Sequence, residues 1–223
     1  MNRRKFIYNS SIASLSVLGL NSCTQLFRDV KITILHSNDV HSQIEPFPVN
    51  HNRFPGRGGF ARRASIFNQI RSVNPNTLIF DAGDIFQGTP YFNFFQGELE
   101  LKLMKEMGYN AATIGNHEFD AGLDILKKNI LSTNFQFIIS NYDFINTELQ
   151  GLTTPYKIYK KEGVKIGVFG LGIELKGLVN PILYKETKYY DPIEISDEMV
   201  KILKDEKKCD LVICVSHLGH KYN

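Results

Sequence analysis

The sequence predicts an α/β domain, because short apolar runs alternate with helical patterns along most of the chain. This alternation occurs four times, which favours parallel strands joined by helical crossovers. Farther along, two apolar runs flank the turn at 160–163 and indicate a hairpin, so the sheet is expected to be mixed. With 223 residues and 43% hydrophobic content, the chain is long and apolar enough to bury a full core.

Each element follows from the local pattern of apolar residues and structure-breaking residues. Apolar runs that end in polar groups indicate strands, and apolar residues at helical spacing between Gly, Pro or Asn indicate helices. In chain order, the predicted strands are 31–35, 77–80, 111–114, 135–139, 156–159, 164–169 and 210–215. The predicted helices are 60–73, 96–107, 121–131 and 194–207, and 180–192 is expected to be loop.

The first residues carry an export pattern and are not expected to belong to the fold. A pair of arginines at 3–4 precedes the apolar stretch 11–20, which is too short for a permanent membrane helix. The arginine pair followed by Phe resembles a twin-arginine signal. The stretch closes on Leu-Asn-Ser-Cys, which resembles the lipobox of bacterial lipoproteins and would make Cys23 a lipid anchor. The alternative is that Cys23 is only a small residue near a cleavage site.

These features predict an export signal with a short linker at 1–29. The expected location is the periplasm or cell envelope, with membrane anchoring if Cys23 is lipidated. The net charge of +3 is small and no long basic run is present, so the composition gives no argument for a nucleic-acid partner.

The densest polar cluster follows the predicted strand 111–114. Asn116, His117, Glu118 and Asp120 lie there within one loop, and open α/β sheets bind ligands outside the carboxyl ends of their strands. An Asn oxygen suits a hard cation, and an imidazole titrates near neutral pH. The alternative is a turn followed by a helix N-cap. Glu118 is expected to serve the turn and the packing.

Three other strand ends carry side chains that bind metals. Asp39 and His41 follow the first strand, Asp84 the second and His217 the last. Asp39 and His41 are two residues apart, so in extended backbone they would point the same way. Carboxylate, imidazole and amide oxygen together suit Mn, Zn, Fe or Mg. A carboxylate shared by two ions holds them about 3.5 to 4 Å apart, the spacing used for phosphoryl displacement, and Asp84 is the candidate bridge.

Four motifs occur in order along the chain: DVH at 39–41, GDIFQG at 83–88, GNHEFD at 115–120 and HLGH at 217–220. As a set they resemble the N-terminal catalytic domain of the 5'-nucleotidase family, within the calcineurin-like metallophosphoesterases. The resemblance implies a layered α/β/β/α fold at 30–223. It also implies two divalent metal ions and hydrolysis of a nucleotide or another phosphate ester.

The resemblance further implies a role for each matching residue. Asp39 and His41 would bind the first ion, Asp84 would bridge, and Asn116 and His217 would bind the second.

The remaining matches are implied to act on the substrate. His117 would stabilise charge on the phosphoryl oxygens or protonate the leaving group, with Asp120 orienting its ring. Asn141 and His220 would line the substrate pocket.

The family pattern continues beyond the last residue of this sequence. A further metal motif, Gly-His-x-His or Gly-His-x-Gln, and a C-terminal nucleotide-binding domain would follow. The expectation is therefore a C-terminally incomplete catalytic domain with weak activity on its own. The alternatives are an inactive lipid-anchored remnant, a nucleotide-sugar pyrophosphatase and a sulfur-ester hydrolase.

Overall fold

The computed structural model of the protein describes residues 29–219. The export pattern, Cys23 and His220 lie outside the described residues. Within 29–219, no helix combines the length and the apolar character needed to cross a bilayer.

The first sheet consists of four parallel strands in the order β1-β2-β3-β4. Their bounds are β1 Thr33–Ser37, β2 Thr77–Asp81, β3 Ala111–Ala112 and β4 Gln136–Phe137. Four helices lie between these strands, two of them between β2 and β3. They are α1 Phe60–Val73, α2 Pro90–Phe95, α3 Glu98–Met107 and α4 Leu123–Ser132. Every residue of β2 is buried, as expected for a central strand that is covered on both faces.

The second half of the chain forms two further sheets. The remaining elements are β5 Tyr142–Asp143, β6 Tyr156–Lys161, β7 Val164–Leu171, α5 Pro181–Tyr184, β8 Lys188–Tyr189, α6 Pro192–Lys201 and β9 Leu211–Ser216. In the three-stranded sheet, β7 pairs antiparallel with β6 and parallel with β9. A small antiparallel sheet joins β5 to β8. The predicted mixture of strand directions is therefore found, but in the second sheet and not in the first.

Side chains alternate between two core regions along the strands and so define four layers. Leu78 and Phe80 of β2 pack with Ile166 and Val168 of β7 in a core between the two sheets. Ile79, between them in the chain, faces the core under α1, α3 and α4. The opposite face of β7 packs against α6 and the turn that follows it. This alternation follows from the two-residue period of a strand and confirms the expected α/β/β/α order.

Several elements differ from their predicted bounds, among them β3 and β4, which are only two residues long. Two further differences are informative. The predicted helix 96–107 begins later, because Gly97 adopts φ 91° between α2 and α3. A Cβ at Gly97 would collide with the ring of Phe86, so the chain must turn at a residue without a side chain. The predicted loop 180–192 contains α5 and β8, and the two residues of β8 pair with β5.

Gly170 allows β7 to pass close to the neighbouring backbone. A Cβ there would overlap the carbonyl oxygen of Ile138 and lie 2.7 Å from Oγ1 of Thr113. We expect Gly170→Ala to lower the free energy of unfolding by about 2 kcal/mol, measured by urea denaturation. The control is Gly163→Ala in the β6–β7 turn, where no atom lies within 4 Å of the added Cβ and only backbone strain of about 1 kcal/mol applies. Equal losses in the two variants would contradict this expectation.

Candidate metal centre

The loops that follow β1, β2, β3 and β9 lie together and carry the sequence-predicted ligands. Backbone hydrogen bonds join the first two loops. The N–H of Asp39 donates to the carbonyl of Gly83 at 3.0 Å, and the N–H of His41 donates to the carbonyl of Asp84 at 3.0 Å. These bonds fix the two loops against each other. The candidate ligand side chains that follow β1 and β2 therefore keep fixed relative positions.

Asp84 lies at the middle of the cluster and is almost fully buried. Its Oδ2 is 3.2 Å from Nε2 of His217 and 3.8 Å from Nε2 of His41. Its Oδ1 accepts the backbone N–H of His117 at 3.0 Å. The Nε2 of His41 is also 3.8 Å from Oδ1 of Asp39.

These side chains form two groups that could each hold a cation. Asp39, Asp84 and His217 form one, and His41, Asp84 and His117 form the other; within each group the ligand atoms lie within 4.8 Å of one another. Asp84 belongs to both groups, which is the position that a bridging carboxylate would occupy. The geometry also brings His117 within ligand range, a role that the sequence did not predict.

Three of these residues adopt left-handed backbone conformations. The φ angles of Asp39, His41 and Asp84 are 50°, 44° and 55°. The expectation that extended backbone aligns Asp39 with His41 is therefore wrong, because the chain turns sharply at both residues. Such angles are costly for residues with a Cβ and occur mainly where surrounding contacts impose them, often at functional sites.

Gly115, in the loop after β3, leaves room for the side chains of Asp84 and His217. A Cβ at Gly115 would collide with Oδ1 of Asp84 and lie 2.9 Å from Nε2 of His217. The glycine of the Gly-Asn-His-Glu motif is therefore explained by close packing of the ligand side chains around it.

Asp84 and His217 shift each other's protonation in opposite directions. Burial alone would raise the pKa of Asp84, but the hydrogen bond with His217 and the N–H of His117 lower it below its usual value. Burial alone would lower the pKa of His217, but its hydrogen bond with Asp84 and the charge of Asp84 raise it to about 9. Nδ1 of His217 lies 2.8 Å from the carbonyl of Ala82, which fixes the ring with Nε2 toward Asp84.

Glu118, which the sequence predicts to serve the turn and the packing, has a structural role that reaches beyond its own loop. Its Oε2 accepts the backbone N–H groups of Asp84 at 2.9 Å and Gly115 at 2.6 Å. Its Oε1 accepts those of Ile85 at 2.7 Å and Phe86 at 3.3 Å. Burial, together with the charge of Asp84, raises the pKa of Glu118. The carboxyl group therefore ties the loop after β2 to the loop after β3.

His117 and Asp120 form a pair beside the cluster. Nδ1 of His117 is 2.7 Å from Oδ2 of Asp120, and both side chains are about one-third exposed. The ring of His117 meets the ring of His41 edge to face, with centroids 5.1 Å apart. Asp120 thus fixes one ring nitrogen and leaves the other to interact with a ligand.

The remaining predicted site residues have different surroundings. Asn116 precedes His117 and begins the 3-10 turn His117–Phe119, where its carbonyl accepts the N–H of Phe119 at 3.2 Å. Asn141 is fully buried, and its amide group both donates to and accepts from the backbone of Gly172 at 2.8 Å. Contact between Asn141 and a substrate would require this pairing to open, so its predicted role stays a prediction.

The donor chemistry fits a divalent cation. Two carboxylates and several imidazoles converge within a few ångströms, and this mixture of oxygen and nitrogen ligands suits Mn, Zn or Fe. Nδ1 of His41 is buried without a hydrogen-bond partner among the described residues. The residues present are therefore compatible with the metals that the sequence predicted, and Asp39, His41, Asp84, His117 and His217 could supply ligand atoms.

A family model for calcineurin-like phosphoesterases matches residues 32–223. The 5'-nucleotidase of Vibrio cholerae is 35% identical over 199 residues, which are 86% of this chain and 34% of that protein. The snake venom 5'-nucleotidase of Crotalus adamanteus is 37% identical over 201 residues, which are 85% of this chain and 33% of that protein. The chain thus spans about a third of the length of these curated relatives.

A solved structure shows the same fold. The 5'-nucleotidase precursor of Thermus thermophilus superposes with a TM-score of 0.74 at 31% sequence identity, over 84% of this chain and 37% of that one. The sequence and structural similarities therefore agree on one family.

Proposed function

The chain belongs to the calcineurin-like phosphoesterase family, and we propose that residues 30–223 form a metal-dependent phosphoesterase domain of the 5'-nucleotidase type. The observation that carries this proposal is that Asp39, His41 and His217 lie around the buried carboxylate of Asp84, beside the His117–Asp120 pair. The substrate class is a nucleotide phosphate ester, supported by the relatives named above.

The protein ligands divide between two cations in this proposal. As the family resemblance implies, Asp39 and His41 would hold one and Asn116 and His217 the other, with Asp84 available to both. The ligand atoms as they stand group differently around Asp84, with Asp39 nearer His217 and His41 nearer His117. Bound divalent cations would make water nucleophilic near neutral pH and neutralise charge on the phosphoryl group.

His117 acts on the substrate. Asp120 accepts a hydrogen bond from Nδ1 and so favours the ring with that nitrogen protonated. When the ring also carries a proton on Nε2, that nitrogen can donate it to a phosphoryl oxygen or to the departing alkoxide, leaving the neutral ring protonated at Nδ1. Asp120 is a positioning residue, because it reaches the substrate only through His117.

We also propose that 1–29 directs export, with Cys23 as the site of a lipid anchor. The support is the paired arginines, the short apolar stretch and the lipobox-like ending, all in the order that exported lipoproteins use.

The proposed activity is tested with the purified protein, manganese and a panel of phosphate esters. We expect phosphate release from a nucleoside monophosphate, loss of release on chelation, and recovery when manganese is returned. Hydrolysis of a nucleotide sugar to a nucleoside monophosphate and a sugar phosphate, or of a sulfur ester, without phosphate release from the nucleoside monophosphate, would move the assignment to those substrates. No metal-dependent hydrolysis of any of them would contradict the proposal.

Replacement of Asp120 by Asn is expected to lower kcat about 10- to 100-fold with little change in metal affinity, because it loosens the orientation of His117 and leaves the ligands in place. Steady-state assays and metal titration measure the two effects. The control is Asp124→Asn, which removes the same charge from an exposed residue whose carboxylate only faces Lys185. A loss of metal affinity as large as the loss of kcat would contradict a positioning role.

A further inference from the structure

A pocket lined by arginines lies at the start of α1. It has a volume of about 330 Å³ and is lined by Arg57, Gly58, Gly59, Arg62, Arg63 and Ile66. None of these residues belongs to either group of potential metal ligands. The pocket therefore needs an explanation of its own.

The three guanidinium groups have no ionic partner in the part of the chain that the structure describes. No ion pair within 29–219 includes Arg57, Arg62 or Arg63. The pocket lining contains no carboxylate. Positively charged side chains around one pocket attract an anion, which would partly neutralise them.

Two of the arginines are held in place by neutral groups. Nη1 of Arg62 donates to the carbonyl of Gly56. Nη1 of Arg63 donates to the hydroxyl of Tyr109 at 3.3 Å, and its guanidinium lies 4.5 Å from the ring centroid of Phe60. These contacts orient both side chains, so little ordering is needed when an anion binds. Arg63 also interacts with the buried Asp81, whose pKa burial raises and this guanidinium lowers, so Arg57 and Arg62 carry most of the charge available to an anion.

The backbone adds positive potential at the same place. The helix α1 has no side-chain cap and no acidic residue in its first turn. Its first N–H groups therefore reinforce the field of the arginines. This contribution is secondary, because the charge of the pocket comes from the three side chains.

We propose that this arginine pocket binds a phosphate-type oxyanion independently of the metal centre. The planar guanidinium donates two parallel hydrogen bonds to phosphoryl oxygens, which a compact ammonium cannot do. The ligand is either free phosphate or the phosphoryl group of a larger molecule, and both present the same oxygens to the pocket.

The test uses metal-free protein, so that phosphate cannot be held by cations at Asp84. Inorganic phosphate is titrated calorimetrically in the presence of a chelator, with sodium chloride of matched ionic strength as the reference. We expect saturable binding at phosphate concentrations up to roughly 10 mM. Arg57→Gln and Arg62→Gln are each expected to weaken it about tenfold, the loss typical of one charged hydrogen-bonding group.

Arg53→Gln is the matched control. It removes the same charge from the neighbouring loop, where Arg53 lies over the ring of Phe54 and does not line the pocket. Arg57 has no side-chain hydrogen bond or ion pair within the described residues, so Arg57→Gln is expected to fold normally. Its thermal midpoint without phosphate checks that.

A parallel titration with a nucleoside monophosphate distinguishes the two sources of the ligand. Tighter binding than inorganic phosphate, lost in Arg57→Gln, identifies the phosphoryl group of a larger molecule, and equal binding identifies free phosphate. The proposal is overturned if metal-free protein shows no saturable phosphate binding. It is also overturned if Arg57→Gln and Arg62→Gln bind phosphate as tightly as Arg53→Gln. None of these outcomes depends on hydrolysis, so they are separate from the proposed phosphoesterase activity.

Discussion

Replacement of Asp84 by Asn is expected to remove high-affinity manganese binding and to lower phosphate-ester hydrolysis by more than about 100-fold. Loss of residues that merely orient metal ligands typically costs 10- to 100-fold. Asp84 is itself a candidate ligand and not a residue that orients one, since its carboxylate faces His41 and His217 and belongs to both candidate cation sites. An amide keeps the shape of the side chain but removes the negative charge that the cations would share.

Metal titration and a hydrolysis assay measure these two losses, and circular dichroism checks the fold. The control is Asp197→Asn on the exposed face of α6, which changes the net charge equally. If the Asp84 variant bound manganese nearly as tightly as the unaltered protein, Asp84 would not be the shared ligand.

The Glu118→Gln variant is expected to lose about 3 kcal/mol of unfolding free energy, together with much of its metal affinity. Both carboxylate oxygens of Glu118 accept two backbone N–H groups, from Asp84 and Gly115 on one side and from Ile85 and Phe86 on the other. In glutamine one oxygen becomes an NH₂ group, which faces two donors in either orientation. A hydrogen bond to a charged group contributes about 1.5 to 3 kcal/mol, and buried donors left without acceptors cost more.

Urea denaturation of the metal-free protein isolates the effect on stability, and a separate manganese titration measures the effect on the site. Glu206→Gln, an exposed position in the turn after α6, is the charge-matched control. Equal stability of the two variants would show that Glu118 does not tie the loops together.

The sequence is sufficient to predict the architecture and to place the candidate ligands at neighbouring strand ends. The helix 60–73 was predicted with its observed bounds, because its start is marked by Gly58-Gly59 and its end by Asn74-Pro75. The strand ends were recognisable because polar residues follow apolar runs abruptly.

The features that the sequence does not predict depend on contacts between distant parts of the chain. The sequence predicts that Glu118 serves the turn and the packing, but not that it accepts hydrogen bonds from the Asp84 loop, because those N–H groups are more than thirty positions away in sequence. The pairing of β8 with β5 involves only two residues on each strand, which is too short for a periodic pattern. The left-handed φ angles at Asp39 and His41 are imposed by hydrogen bonds to the loop after β2. The local sequence contains no pattern that predicts them.

Anomalous diffraction from crystals soaked in manganese tests the metal centre most directly. We expect anomalous peaks on both sides of the Asp84 carboxylate, each roughly 2 to 2.5 Å from one of its oxygens, one beside Asp39 and His41 and the other beside His217. Peaks found only at exposed surface carboxylates, with none at Asp84, would contradict the assignment of this cluster as the metal centre.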